Sequence, residues 1–147
     1  LGANLPKDHY DVITFWDVLE HVTDPKAYLK EAFRVLKPGG YLIINFPDFG
    51  CPLARLAGKR WWFLSPVHIY YFTRKTIGQF LTVQGFTIQK MERHWQTLSL
   101  GYLFERFDAY SKLISKMGTA FTRRFHLSEL PIRYYASQAL AIAKKPN

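Results

Sequence analysis

Two histidines are the side chains best suited to acid–base chemistry near neutral pH. His21 lies shortly after an apolar run, and His68 follows Ser65-Pro66-Val67 in a long irregular segment. Imidazole titrates close to neutrality, so either side chain can take up a proton during a reaction. A single histidine is more often a hydrogen-bonded structural residue, so His21 and His68 are candidate bases that need a structural test.

A second group of candidate residues combines aromatic rings with positive charge in the middle of the chain. Such a group can bind an apolar or anionic small molecule. It also suits single-stranded nucleic acid, whose bases stack on rings. A third interpretation, ordinary core packing of the rings, stays open. The rings are Trp61, Trp62 and Phe63, and the basic residues are Arg55, Lys59 and Arg60. A second aromatic run, Tyr70-Tyr71-Phe72, follows in the same irregular segment.

The composition is that of a globular chain of about one domain. Of the 147 residues, 48% are hydrophobic and 21% are charged, which argues against intrinsic disorder. Cys51 is the single cysteine, so no intramolecular disulfide can form, and we expect a reducing, cytoplasmic setting. No apolar run approaches the ~20 residues that a transmembrane helix needs.

Charge is distributed unevenly along the chain. Residues 1–54 contain five basic and seven acidic side chains, whereas residues 55–147 contain fifteen basic and four acidic ones. A basic second half favours an anionic partner, such as a phosphorylated substrate, a membrane surface or a nucleic acid. A basic surface without any specific partner is the alternative.

The first third of the chain predicts a strand–helix–strand unit. Residues 11–16 and 41–46 are apolar runs typical of buried strands. Between them, Asp24 is a suitable helix N-cap with Pro25 at the first helical position, and residues 37–40 (KPGG) end the helix. A crossover of this kind makes the two strands parallel neighbours or near neighbours.

The remaining elements complete an α/β pattern. Thr73 can cap a second helix, which Gly85 ends in a left-handed conformation. Residues 86–91 alternate like a strand with one less buried face. A long helical stretch over about residues 98–125 precedes a final strand over residues 136–143.

Four segments resemble, in the same order along the chain, the landmarks of class I S-adenosylmethionine-dependent methyltransferases. They are residues 10–22 (YDVITFWDVLEHV), 36–40 (LKPGG), 68–73 (HIYYFT) and 84–86 (QGF). The resemblance implies the carboxyl-terminal half of a Rossmann-like methyltransferase sheet, with strands in the order four, five, seven, six. It also implies one partial methyltransferase domain over residues 1–147, with a variable helical insertion over residues 94–135 before the last strand.

The same resemblance assigns roles around the carboxyl end of the fourth strand. Methyl transfer is a direct displacement that often needs a general base, for which His21 and His68 are the candidates. Asp17 would approach the amino end of S-adenosylmethionine, although it equally suits an N-cap or a surface carboxylate. The implied cofactor-binding residues are Phe15, Trp16, Asp17 and Val18, and the implied acceptor-binding residues are Trp61, Trp62, Phe63, Tyr71 and Phe107.

Asp17, Glu20 and His21 also resemble the Glu-x-x-Glu-His metal site of the ubiquinone-pathway O-methyltransferases. Their oxygen and nitrogen atoms suit a divalent ion. The first position is Asp here, however, and many relatives carry the motif without a metal. We therefore predict no metal ligand.

The amino-terminal landmarks of the family have no counterpart in this chain. These enzymes hold the cofactor on a glycine-rich loop after their first strand and on an acidic residue that ends their second. We therefore expect a truncated chain that alone binds S-adenosylmethionine weakly or not at all and is inactive. Without its usual neighbour, the strand at residues 11–16 would expose an edge that favours self-association.

The predicted insertion carries an apolar stripe with basic residues mainly off it, and we expect Gly118 to break or kink its helix. Packed on the sheet, the stripe would be buried as a lid over the acceptor. Laid on a bilayer, it would enter the headgroup region. The stripe comprises Leu103, Phe107, Tyr110, Ile114, Met117 and Phe121, and the basic residues are Arg106, Lys112, Lys116, Arg123 and Arg124.

These features together predict methyl transfer from S-adenosylmethionine to a small-molecule, lipid-like or glycan-linked acceptor by the full-length protein. Two alternatives stay open. One is a basic amphipathic module that binds a membrane or, less expected, a nucleic acid. The other is a structural half-domain completed by a partner chain.

Overall fold

Four strands form a mixed sheet in the computed structural model, which describes residues 4–147. The strands are β1 (Tyr10–Trp16), β2 (Leu36–Pro47), β3 (Thr87–Ser99) and β4 (Pro131–Lys144), in the spatial order β1-β2-β4-β3. The helices are α1 (Pro25–Val35), α2 (Pro52–Ala57), α3 (Arg74–Val83), α4 (Leu100–Arg106) and α5 (Lys112–Arg124). Short 3₁₀ turns follow α2 and α4, at Gly58–Arg60 and Phe107–Ala109.

The strand order confirms the fold predicted from the sequence. β1 and β2 are parallel, with Val12 opposite Tyr41 and Trp16 opposite Asn45. β2 and β4 are antiparallel. Counted as strands four to seven of the methyltransferase sheet, the four strands lie in the predicted order four, five, seven, six.

Local capping signals set the ends of the helices that flank this sheet. Asp24 accepts a hydrogen bond from the Ala27 amide and Pro25 opens α1, as predicted. Thr73 caps α3 in a reciprocal capping box with Thr76, and Gly85 beyond it has φ +91°. A residue with a β-carbon would be strained at Gly85, so this glycine is a conformational requirement.

The centre of the sheet pairs large side chains with small ones. Leu42, Ile44 and Phe46 of β2 lie opposite alanines of β4, and all six of these side chains are fully buried. The alanines leave room for α1 and α3, whose Leu29 and Ile77 join the same core. The alanine partners are Ala143, Ala141 and Ala139.

β1 is more exposed than the sequence predicts. Val12 is 50% exposed and Trp16 is 51% exposed, which agrees with the open edge expected for a strand without its usual neighbour and not with the burial that the apolar run alone predicts. Within the described residues β1 pairs with β2 alone, which leaves its other edge open. An apolar run shows that a strand forms, but burial also depends on the neighbours of the strand.

The segment between β2 and α3 contains a helix that the sequence analysis missed. α2 is only six residues long, and the buried Cys51 caps it by accepting a hydrogen bond from the Ala54 amide. A helix of this length has no periodicity that a pattern can reveal.

The chain divides into two compact units, Leu1–His94 with Ser137–Asn147, and Trp95–Ala136. The second unit lies within a residue of the segment predicted as an insertion. It contains two helices instead of the single long one that we expected, because the helical path ends at Ala109 and Ser111 caps α5 anew.

The sequence predicts that Gly118 breaks or kinks its helix, but α5 continues through this residue. Gly118 instead allows α5 to lie close to α4. A β-carbon at Gly118 would lie 2.0 Å from Cδ1 of Phe104, so the two helices depend on this glycine for contact. The buried residues of α5 are the small Ser115, Gly118 and Thr122. Within the described chain the apolar stripe is not buried, so its expected burial would require a partner chain: Phe107, Tyr110 and Ile114 are 47%, 70% and 51% exposed.

No helix within residues 4–147 combines the length and apolar character that crossing a bilayer requires.

We predict that Gly118→Ala destabilises the protein despite the better helix propensity of alanine. The clash with Phe104 should cost about 1–3 kcal/mol, against a propensity gain of about 1 kcal/mol. Urea denaturation followed by circular dichroism measures the net loss. In a double-mutant cycle, Phe104→Ala should remove the penalty by making room. Equal effects of Gly118→Ala with and without Phe104 would contradict the packing described here.

Candidate active site

The candidate site lies where the two parallel strands end. Trp16 and Asn45 lie side by side near the carboxyl ends of β1 and β2. The segment after β1 carries Asp17, Glu20 and His21, and the segment after β2 carries Asp48. In open α/β sheets, ligands bind at this edge.

Asp17 is held at the edge by backbone and side chain together. Its φ is +49°, a left-handed conformation that is uncommon for a residue other than glycine. Oδ1 accepts a hydrogen bond from Nε2 of the buried Gln138 at 2.7 Å. Burial raises the pKa of the Asp17 carboxyl, against the opposing charge of His21.

Backbone hydrogen bonds join the loop before α3 to the segment after β1. The Ile69 amide donates to the Glu20 carbonyl oxygen at 2.8 Å, and the Tyr70 hydroxyl donates to the Thr23 carbonyl oxygen at 3.1 Å. The segment after β1 and the loop before α3, 46 or more residues apart in the sequence, thus form one wall of the candidate site. The wall places His68 next to His21.

The two candidate bases form a pair with their reactive nitrogens available. The rings of His21 and His68 are 4.7 Å apart. Nδ1 of His21 lies 2.9 Å from the Val67 carbonyl oxygen, and Nδ1 of His68 lies 2.6 Å from the Phe63 carbonyl oxygen. A carbonyl only accepts, so each Nδ1 donates its hydrogen when the ring is neutral. Each Nε2 then keeps a lone pair for a proton or a cation.

Glu20 lies beneath this pair with an uncompensated carboxyl group. The residue is 1% exposed, and neither side-chain oxygen has a hydrogen-bond partner within the described chain. Burial raises the pKa of Glu20 to about 7, with a further contribution from the neighbouring Asp17. A buried carboxyl without partners is costly and marks a place that receives a proton, a ligand or an ion.

The donor atoms also fit a divalent cation. Glu20, His21 and His68 each place one potential ligand atom within 4.8 Å of the others. Nitrogen and oxygen donors suit zinc or manganese, and the carbonyls behind both Nδ1 atoms would orient the rings. Asp17, the first residue of the motif in the sequence, does not join this group, and His68 takes that place.

The predicted acceptor residues differ in their exposure. Trp61 is 2% exposed, and its indole N–H donates to Oγ of Ser137 at 2.9 Å, so it supports the wall from behind. Trp62 and Tyr71 are 41% and 39% exposed. Phe63 stacks on His68 with ring centres 6.1 Å apart.

Two other predicted site residues belong to other elements of the chain. Phe15 lines a cavity of about 1070 Å³ formed mainly by α1 and the chain end, which contains none of the other predicted site residues. Phe107 belongs to the second compact unit. This cavity does not include the histidine pair, and we assign the candidate site from the chemistry of its side chains.

Comparison with known proteins decides the family. Residues 2–91 match the model of a family described as a methyltransferase domain. The chain belongs to this methyltransferase family.

Its relatives include a probable S-adenosylmethionine-dependent methyltransferase of Mycolicibacterium smegmatis, 28% identical over 85 residues, or 58% of this chain and 32% of the relative. A ubiquinone/menaquinone biosynthesis C-methyltransferase of Vibrio campbellii is 51% identical over 39 residues, or 26% of this chain and 15% of the relative. The family and S-adenosylmethionine as its cofactor, both predicted from the sequence, are confirmed. The matches span about a third or less of these relatives.

Solved structures show the same fold. A S-adenosylmethionine-dependent methyltransferase of Thermotoga maritima matches 98% of this chain with a TM-score of 0.60 and 23% identity, over 60% of its own length. One from Archaeoglobus fulgidus matches 96% of this chain with a TM-score of 0.57 and 16% identity, over 62% of its length.

Two buried polar residues of this methyltransferase domain were not among the predicted site residues. Glu20 adjoins His21 in the sequence, and this adjacency was the available signal. Asn45 interrupts the apolar run of β2 and is 3% exposed, with its Oδ1 lacking a partner within the described residues. A polar residue inside a buried strand is a signal that can be read from the sequence.

We predict that Glu20 lowers the free energy of unfolding of this domain as the pH rises from about 4.5 to about 7. The carboxyl titrates near 4.5 when unfolded and near 7 when folded, so the folded state binds more protons in this window. Its ionisation cost is absent below pH 4.5 and reaches about 3 kcal/mol above pH 7. We expect urea denaturation at several pH values to show that, as the pH rises through this window, the free energy of unfolding of Glu20→Gln increases by this amount relative to that of the wild type.

Glu129→Gln, which removes an exposed carboxylate, is the matched control. The buffer contains EDTA, because a cation bound by Glu20, His21 and His68 would keep the carboxylate ionised. Parallel pH dependence of Glu20→Gln and wild type would contradict the assignment.

Proposed function

We propose that, within the complete protein, this chain takes part in methyl transfer from S-adenosylmethionine to a small-molecule, lipid-like or glycan-linked acceptor. The observation that carries the proposal is the pair of His21 and His68, with both Nε2 atoms available at the edge where β1 and β2 end. Phe15, Trp16, Asp17 and Val18 are proposed for the cofactor side. Trp62, Phe63 and Tyr71 are proposed for the acceptor side, with Trp61 as their support.

The proposed reaction needs one proton acceptor. S-adenosylmethionine supplies an electrophilic methyl group on a sulfonium. The acceptor oxygen or nitrogen attacks the methyl carbon while the carbon–sulfur bond breaks, its electron pair stays on sulfur, and S-adenosylhomocysteine leaves. The proton released by the acceptor passes to Nε2 of His68 or His21. The neighbouring Glu20 carboxyl then stabilises the imidazolium that forms.

We predict that His68→Gln in the full-length protein lowers the rate of methyl transfer about 10²–10⁴-fold, the range of general-base catalysis. The assay follows labelled methyl groups from S-adenosylmethionine into a small-molecule extract of the source cells. His9→Gln is the control, since His9 is an exposed histidine that directly precedes β1. Calorimetry should show unchanged S-adenosylmethionine affinity for both variants. Full activity of both His68→Gln and His21→Gln would exclude the histidine pair as the base.

Membrane contact by the second compact unit is a second proposed function, favoured by its exposed apolar side chains. Tyr110, Leu113, Ile114 and Met117 are 70%, 68%, 51% and 64% exposed, and Phe121 and Phe125 exceed 50%. Five exposed cations on the same helices suit anionic headgroups. They are Arg106, Lys112, Lys116, Arg123 and Arg124.

We predict binding to vesicles that contain phosphatidylglycerol and its loss at high salt. Sedimentation should show that Ile114→Ser with Phe121→Ser weakens binding at least tenfold, because both side chains would leave the apolar contact. Val83→Ser removes a side chain of similar exposure from α3 and should have no effect, since Val83 is 78% exposed but lies in the other unit. Equal binding of all three proteins would exclude this surface.

Two further predictions from the sequence stand as proposals. The open edge of β1, with Val12 and Trp16 half exposed, supports self-association. A cytoplasmic setting remains our expectation from the single cysteine.

A further inference from the structure

A second cavity of the first unit is dominated by positive charge. It has a volume of about 490 Å³ and lies between the end of β2 and the start of α3. Four cations and one carboxylate line it, so the side chains of its lining carry a net charge of +3. The cations are Arg55, Arg74, Lys75 and Arg93, and the carboxylate is Asp48.

The carboxylate is already used by the protein itself. Asp48 is 3% exposed; its Oδ1 accepts from the Gly50 amide at 3.0 Å and its Oδ2 accepts from Nε of Arg74 at 2.8 Å. This contact fixes Arg74, whose terminal N–H groups have no hydrogen-bond partner within the described chain. Arg55 and Lys75 likewise have no ion-pair partner among the described residues. Arg55, Lys75 and the terminal N–H groups of Arg74 are thus available to an anion.

An apolar cavity continues from the basic one. It measures about 550 Å³ and shares Gly50, Arg55 and Thr73 with the first. Its other walls include Phe49 and Leu64. A β-carbon at Gly50 would lie 3.2 Å from both Thr73 and the Asp48 carboxylate, so glycine permits the tight junction of the two cavities.

Aromatic contacts connect these two adjoining cavities to the histidine pair. The ring of Phe49 lies 5.7 Å from that of Tyr71, which lies 6.2 Å from that of His68. The three rings form a continuous path from the apolar cavity to the candidate base. A ligand held by its anionic end would lie with its apolar part along this path.

We propose that the acceptor is a phosphorylated amphiphile, whose phosphate binds Arg55, Arg74, Lys75 and Arg93 and whose apolar part lies against Phe49 and Tyr71. A phosphate monoester carries about 1.5 to 2 negative charges at pH 7, which suits a cavity where Arg55 and Lys75 have no ion-pair partner among the described residues. This inference rests on the proposed function and adds the chemical class of the acceptor.

The test measures binding in the absence of S-adenosylmethionine, so its outcome is independent of methyl transfer. Calorimetry compares octyl phosphate, below its micellar concentration, with octanol and with inorganic phosphate. We expect octyl phosphate to bind at least tenfold more tightly than either. The Arg55→Gln, Lys75→Gln double variant should lose at least tenfold in affinity for octyl phosphate and little for octanol. Lys30→Gln, an exposed lysine of α1, is the charge-matched control.

A second arm identifies the source of the phosphate. Vesicles with phosphatidic acid present the same group within a bilayer, and binding that needs Arg55 and Lys75 in this arm alone would assign a membrane lipid. Dependence in the octyl phosphate arm would assign a dispersed ligand. The proposal would be overturned if the double variant bound as tightly as the wild type in both arms. It would also be overturned if the protein showed no preference for octyl phosphate over octanol and did not bind the vesicles.

Discussion

The pairing of β2 on both of its edges is the constraint on which the rest of the first unit depends. Leu42, Ile44 and Phe46 are fully buried because alanines face them across β4 and helices cover them. The same strand sets the register of β1, which brings the end of β1 to the level of Asn45. β4 in turn supplies Gln138 to Asp17 and Ser137 to Trp61. Apolar packing at the centre thus positions polar groups at the edge.

The features of this unit that cost free energy, namely strained backbone and buried polar groups without hydrogen bonds, are concentrated at that edge. Asp17 adopts a left-handed backbone, Glu20 buries a carboxyl without a partner, and Asn45 leaves an oxygen unsatisfied within the described residues. Each of these features costs free energy that the core must offset. Their coincidence where two parallel strands end is the physical reason for placing the site there, even though the cavity lined by Phe15 lies elsewhere.

The sequence predicts features that are determined locally. The caps at Asp24 and Thr73 and the turn at Gly85 depend on a few adjacent residues, and the structure confirms them. The strand order follows from the family landmarks. The hydrogen bonds that give His21 and His68 their free Nε2 atoms come from Val67 and Phe63, and only the folded loop brings His21 to Val67. Residue types alone therefore point to His21 and His68 as candidate bases, but they do not predict the pairing of the two rings or the buried carboxyl of Glu20.

The second unit shows a different limit of sequence reasoning. Periodicity predicts that apolar residues share one helix face, but it does not predict which face is buried. In α5 the small residues Ser115, Gly118 and Thr122 form the packed face, and Gly118 permits close approach to Phe104. The apolar stripe is thereby left to solvent. A helix with small residues on one side and large apolar residues on the other offers two alternative contact faces.

The excess of positive charge in residues 55–147 has a structural meaning only after the fold is known. Some of its cations line a cavity beside Asp48, and others flank the exposed stripe of α4 and α5. The two sets belong to different compact units. A net charge describes attraction to anions in general, whereas each set offers its own geometry: a pocket that can enclose one phosphate, and an open face that suits a surface. Nonspecific basicity would require neither a buried carboxylate that fixes Arg74 nor apolar side chains beside the cations. The arrangement of the charges therefore favours two separate anionic contacts over a generally basic surface.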